Sequence, residues 1–436
     1  MKSILFTSLL VMVSFSFAKF PYETPDEKKI INYTLQNRKE QLDLLERLVN
    51  INSGTENVYG IKKVGALVKP EFEALGFNVQ WYDLPSDMHH AGSLIATLNG
   101  NPGPRILLIG HLDTVFSMNS PFQKFTLSPD QKQVTGPGVI DNKGGVVTIL
   151  YAMKALQHVN ALKNANITIV LTGDEELAAK PTSISRSALT DIAKNSAIAL
   201  GFEFALAPDE LVVGRRGLNE WFLTSTGKSQ HSSLIFQPNV GFGAIYEISR
   251  VLHEIQQELS STPGLTINPG LILGGQKVDE NIEKGIGTAS GKKTIVTAIA
   301  SAHGDMRFLS DQQRKGAEEK MKNIVAHPLT KTESSILFKS IIPLMAATKE
   351  NDELRVQYSN ISKKIGGPAL KTVLPDLRGG ADISYISSYV KAAIDGLGPW
   401  GKGAHTETET LDIDALPIAT QRAALFILNY MKDNRQ

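Results

Sequence analysis

His111, Asp141, Glu175, Glu176, Glu203 and His405 fall in order along the chain, in the short runs GHLDTV, GVIDNKGG, TGDEEL, GFE and GAHTE. Several of these runs follow apolar stretches that read as strands, and in open α/β sheets sites form beyond the carboxyl ends of strands. Histidine and carboxylate are the donors that suit zinc, with cobalt or manganese as alternatives. A carboxylate has two oxygens, so one acid can bridge two cations about 3.5–4 Å apart. The rest then provide one His and one acid per cation, with an acid left over as a base. This is the chemistry of hydrolysis at a pair of metal ions.

Taken singly, each residue has a plainer reading: a surface His at 111, a helix-capping turn Asp at 141, a solvated acidic loop at 174–176. His111 and Asp113 lie two residues apart after a strand, so Asp113 can accept the second ring N–H and fix the tautomer. Glycines on both sides of Asp141 permit close backbone approach. Consecutive acids at a strand end repel unless cations neutralise them. Adjacent residues point different ways, so one of Glu175 and Glu176 can ligate while the other faces a substrate water. Glu203 and His405 are weak signals alone, and the ordered set carries the argument.

The chain is 436 residues with a formal net charge of +1 and no cysteine. That length implies two domains. The charge gives no basis for a nucleic-acid partner, and disulfides and thiolate metal sites are excluded. At the start, Lys2, an apolar run over 4–13 and Ser16-Phe17-Ala18 have the pattern of a cleaved export signal over 1–18. The mature protein is therefore expected to be periplasmic or secreted, without stable membrane association.

The elements that must position these residues follow from periodicity. Helices are expected over 26–49, 60–75 and 144–156, and strands over 78–82, 94–98, 105–109, 167–171 and 197–200. Strands alternating with helices imply an α/β domain with a largely parallel, helix-covered sheet. From about 212 the pattern becomes apolar–polar alternation, as in a half-exposed antiparallel strand. A helix over 241–259, a strand over 294–300 followed by Asp305-Met306-Arg307, and a helix over 311–326 complete an α+β insert of antiparallel strands and two helices. The expected division is 19–213 plus 328–436 for the catalytic domain and 214–327 for an inserted lid or dimerisation domain.

The ordered set resembles the co-catalytic zinc peptidases that include bacterial glutamate carboxypeptidase, acetylornithine deacetylase, succinyl-diaminopimelate desuccinylase and the aminoacylases. The resemblance implies that Asp141 bridges two zinc ions, with His111 and Glu203 completing one site and Glu176 and His405 the other. It implies Glu175 as general base, Asp113 as the acid orienting His111, and a cis Asp141–Asn142 peptide. In the insert, His231 of GKSQH would stabilise the oxyanion and Arg307 would bind a substrate carboxylate. The loop Arg378-Gly379-Gly380-Ala381-Asp382 would line the substrate site. Thr294 stands where the family usually places a substrate-holding Asn, and Ser232-Ser233 and Ala178 onward also depart from the pattern.

These readings converge on an exported di-zinc enzyme that releases a C-terminal amino acid from a small peptide. An N-acyl-amino-acid deacylase is the alternative, and a non-catalytic peptide-binding protein a third reading. A homodimer through the insert is a further expectation from the resemblance.

Overall fold

The computed structural model describes residues 24–100 and 103–434, so the segment expected as a leader, 1–18, lies outside the described residues. The single helix expected over 26–49 is two, α1 (Pro25–Gln36) and α2 (Arg38–Val49). Thr24 and Glu27 form a reciprocal cap at the start of α1. Asn37 ends it, because its side-chain amide donates to the Tyr33 carbonyl at 2.8 Å in competition with the helical ladder. Next comes α3 (Val58–Ala74), capped by Asn57.

The main sheet is built from β1 (Asn78–Tyr82), β2 (Ser93–Asn99), β3 (Ile106–His111), β4 (Asn166–Thr172) and β5 (Ile198–Gly201), with Ala392–Ile394 at the far edge. In space the order is β1-β2-β4-β3-β5-(392–394). The pairs from β4 onward are parallel, and β1 and β2 are antiparallel. All six residues of β3 are buried. Leu108, Ile169 and Leu200 pack into one apolar core, while Leu107, Ile109, Val170 and Ala199 pack into another on the opposite face. Strand alternation thus fills both faces, as a helix-covered parallel sheet requires. Helix α4 (Lys143–His158), buried along most of its length, belongs to the larger core with the C-terminal helix Ala415–Asp433. The result is the mixed α/β architecture anticipated.

A separate antiparallel sheet contains β6 (Gly217–Gly227), β7 (Thr266–Gly275), β8 (Ile299–Phe308) and β9 (Thr332–Ile342), in the order β7-β8-β6-β9. Helices α5 (Ala244–Leu259) and α6 (Asp311–Val325) cover it through Trp221, Ile248, Val251, Met306 and Met321. Two expectations need correction here. The strand placed over 294–300 is β8, so Asp305-Met306-Arg307 lies inside a strand, with Arg307 opposite Leu218. Small buried residues at 300 and 302 disguise the alternation. The return to the first domain, expected at 328, comes later. β9 adds to the edge of β6 with Ser334 opposite Ser225, so the second sheet continues to Ile342. Beyond it Met345 exchanges backbone hydrogen bonds with Arg215, placing the outgoing and returning chains side by side. No helix among the described residues is long and apolar enough to cross a membrane.

Candidate metal centre

Asp141 stands between two histidines. Its Oδ1 lies 3.1 Å from His111 Nε2, and its Oδ2 lies 3.0 Å from His405 Nε2. Each of these ring nitrogens faces one more acid: Glu203 Oε1 is 3.4 Å from His111 Nε2, and Glu176 Oε2 is 3.1 Å from His405 Nε2. Two three-residue donor clusters therefore share Asp141: His111–Asp141–Glu203 and Asp141–Glu176–His405.

The fold explains how five distant residues meet. His111 is the last residue of β3 and Glu203 follows β5, its parallel neighbour. Glu175 and Glu176 follow β4 on the other side of β3. Asp141 precedes α4, and its peptide bond to Asn142 is cis. Asn142 Nδ2 donates to the Phe202 carbonyl at 3.0 Å, tying this turn to the end of β5. His405 comes from a glycine-rich loop and has φ 64°, a left-handed conformation uncommon outside glycine. Its side chain is 56 % exposed, which leaves one side of the centre open.

The donors fit a pair of divalent cations. Each ring nitrogen faces two carboxylate oxygens at hydrogen-bond distance, so lone pairs converge unless a proton or a metal lies between them. Glu176 Oε1 is buried with no hydrogen-bond partner. Burial opposes protonation of His111, but Asp113, Asp141 and Glu203 outweigh it and raise the ring pKa well above its usual value. Hydrogen bonds to Asp141 and Glu176 push His405 up to about 11. Burial and the Asp141 charge push Glu176 up to about 7. Burial also raises Glu203, and raises Glu175 well above the carboxylate range with the help of Glu203's charge. The protein concentrates more negative charge here than it neutralises, and cations answer that excess.

Asp113 is fully buried and accepts four contacts. Oδ1 lies 3.2 Å from His111 Nδ1, Thr55 Oγ1 donates to Oδ2 at 2.7 Å, and the Glu175 and Glu176 backbone N–H groups donate at 3.1 Å each. One acid thus holds the His111 ring and the backbone of both glutamates. Asp174, the first acid of the DEE run, leaves this group and pairs with Arg186 at 2.7 Å; Arg186 also binds Asp382 at 2.6 Å.

His231, Thr294 and Arg307 lie apart from this assembly in the second domain. His231 Nδ1 is 2.8 Å from Ser233 Oγ, the Thr294 carbonyl accepts the Ser232 N–H at 2.8 Å, and Arg307 Nε is 3.0 Å from Asp305. None of their hydrogen bonds or ion pairs among the described residues reaches the cluster. In the glycine loop, the Gly379 carbonyl accepts from Arg215 at 2.8 Å. Gly380 packs so closely on Ile342 that an added Cβ would lie 2.3 Å from its Cγ2. Lys143, two residues after Asp141, is buried and donates to the Ile51 carbonyl at 2.9 Å. Burial pushes its pKa down to about 7.

Sequence reading missed Glu409, and it named Arg378 only as part of the glycine loop. Glu409 accepts the N–H groups of Gly138, Ile140 and Asp141 at 2.9–3.1 Å and holds the Asp141 turn from beneath. Its only signal was an acid four residues after His405. Arg378 is buried against the Phe204 ring, 4.2 Å from its centroid, and lies 4.0 Å from Glu203 Oε2. Burial and neighbouring Arg215 push its pKa down to about 10.

Residues 107–429 match the profile of Peptidase family M20/M25/M40. Carboxypeptidase G2 of Pseudomonas sp. is 26% identical over 393 residues, covering 88% of each chain. A probable succinyl-diaminopimelate desuccinylase of Staphylococcus epidermidis is 25% identical over 236 residues, covering 52% of this chain and 53% of its own. Aminopeptidase PepT from Bacillus cereus shares the fold with a TM-score of 0.70 at 18% identity, over 90% of this chain and 99% of its own. The metallo-carboxypeptidase Sso-CP2 from Sulfolobus solfataricus does so at 0.59 and 19%, over 90% and 99%. With its donor clusters and a family match over more than half its length, the chain belongs to Peptidase family M20/M25/M40, a metal-dependent family of hydrolases acting on peptide or amide bonds.

Proposed function

We propose that this protein is an exported di-zinc exopeptidase that releases a C-terminal amino acid from a small peptide. The observation that carries the reading is Asp141 offering one oxygen to each of two opposed His–carboxylate pairs. His111 and Glu203 would hold one ion, and His405 and Glu176 the other. Two such cations, when bound, polarise an amide carbonyl and acidify the water between them.

Glu175 supports the base role because its backbone is pinned to Asp113 while its carboxylate is left for a proton. It takes a proton from the attacking water and returns it to the departing amine. Asp113 fixes the His111 tautomer by accepting at Nδ1. His231 and Arg307 would act from the second domain, His231 on the oxyanion and Arg307 as a fork for the substrate carboxylate. Both roles require closure of that domain or its delivery by a partner copy through a homodimer. The pattern over 1–18 supports export to the periplasm or beyond.

The test is hydrolysis of N-acyl amino acids and short peptides, with free and blocked C-termini, before and after chelation and zinc return. Zinc-restored cleavage that needs a free C-terminal carboxylate supports the proposal. Preference for N-acyl amino acids over peptides would select the deacylase reading. No turnover with two ions bound would select the binding-protein reading.

A further inference from the structure

Beside the donor cluster, and reaching Glu176, is a pocket of about 360 Å³ between the loop 54–57 and the segment 114–119. Its walls are fixed in place. Thr55 N–H donates to the Thr114 carbonyl at 3.2 Å and Thr114 N–H to the Ser53 carbonyl at 2.9 Å. Asn52 Nδ2 donates to the Phe116 carbonyl at 3.0 Å, and Asn57 binds Asn52 while capping α3. A Cβ on Gly54 would lie 2.4 Å from the Phe116 carbonyl oxygen, so only glycine lets the two loops come this close. Thr55 is also the residue that binds Asp113, which links this wall to the backbone of Glu175 and Glu176.

The chemistry of the lining is selective. Val115, Met118 and Leu177 expose apolar side chains here, 42 %, 68 % and 55 % accessible. Lys, Arg and His are absent from the lining, and Glu56 and Glu176 are its two charged members. With Glu176 given over to a metal ion, Glu56 is the remaining charge and no basic side chain offsets it, so the pocket disfavours a carboxylate and the C-terminal amino acid of a substrate belongs elsewhere. Its volume exceeds that of a single side chain and sits at the small end of ligand sites. Methionine adapts readily to varied apolar shapes.

We propose that this pocket receives a bulky apolar group on the acyl, amino-terminal side of the scissile amide, and that Glu56 disfavours acidic groups there. The inference rests on the hydrolase reading above. Its test compares kcat/KM of the zinc-loaded protein for N-acetyl-, N-octanoyl- and N-succinyl-glutamate. Octanoyl should exceed acetyl by about tenfold or more, succinyl should fall below acetyl, and Met118→Asp should bring the octanoyl-to-acetyl ratio to within about threefold of one. Equal cleavage of all three overturns the pocket assignment and leaves the hydrolase reading standing.

A second measurement does not need turnover. The chain has no cysteine, so Met118→Cys introduces a single thiol at the pocket mouth. N-octanoyl-glutamate should slow its maleimide labelling at least threefold at a concentration where N-acetyl-glutamate has no effect. Protection without cleavage of any substrate would sink the hydrolase proposal alone. Equal labelling rates with both compounds would sink the pocket assignment.

Discussion

Glu409 Oε1 accepts the backbone N–H of Asp141 at 3.1 Å, across 268 residues of sequence. The same carboxylate takes the N–H groups of Gly138 and Ile140, so one buried acid sets the turn that aims Asp141 at both histidines. Ala at 409 leaves three backbone donors unsatisfied in a buried turn. We expect zinc affinity to fall about 10- to 100-fold, measured by competition with a chromophoric chelator. Affinity equal to wild type would show that the turn holds without Glu409.

The shared position of Asp141 predicts unequal metal losses. Wild type should regain two zinc ions per chain after chelation, His111→Ala and His405→Ala about one each, and Asp141→Ala close to none. Elemental analysis of the dialysed proteins reads this directly. One ion lost from Asp141→Ala would assign the bridge to another group.

Glu175→Gln keeps size and backbone contacts and removes the base. Turnover should fall by about 10²- to 10⁴-fold with zinc content unchanged. A variant within tenfold of wild type would exclude Glu175 as the proton acceptor.

Arg186 is a structural counter-charge for Asp174 and Asp382, both buried. Arg186→Met strands two acids, and breaking a buried pair this way costs about 3–5 kcal/mol. Denaturant unfolding should show that loss; a change below about 1 kcal/mol would mean that the acids find water or protons cheaply.

The second domain has its own pH dependence. Burial raises the pKa of Glu247, but hydrogen bonds from Arg250, the Leu329 N–H and Ser334 outweigh it, and the net shift is downward from the ordinary glutamate value. The unfolded chain thus binds this proton more tightly than the folded one. The stabilisation is complete above the unfolded value and is lost as pH falls through the folded one. Melting curves from about pH 6 to about pH 3 should therefore steepen their decline below about 4.5 in wild type, and less so in Glu247→Gln.

Much of the site was legible because apolar runs end abruptly in acids and histidines. β3 ends on His111, β4 leads to Glu175 and Glu176, and β5 leads to Glu203. Local hydrophobic patterning places each of these at a strand end, and parallel neighbours bring strand ends together. The extent of the second sheet was less legible. β9 has the alternation of a strand, but its partner β6 lies more than a hundred residues earlier, and only register joins them.

Sequence alone thus determined the donor types, their order and the α/β core, since these depend on residue chemistry and on periodicities spanning a few residues. Only the tertiary structure decided which counter-charge each acid receives. Asp174 is drawn to Arg186 and away from the centre, Asp113 to Thr55, and Glu409 to three backbone amides. Such pairings act over a few ångströms between residues from 12 to 271 positions apart, and no local pattern encodes that proximity. The same holds for the pocket beside Glu176, whose walls come from two loops held together by hydrogen bonds and one glycine contact.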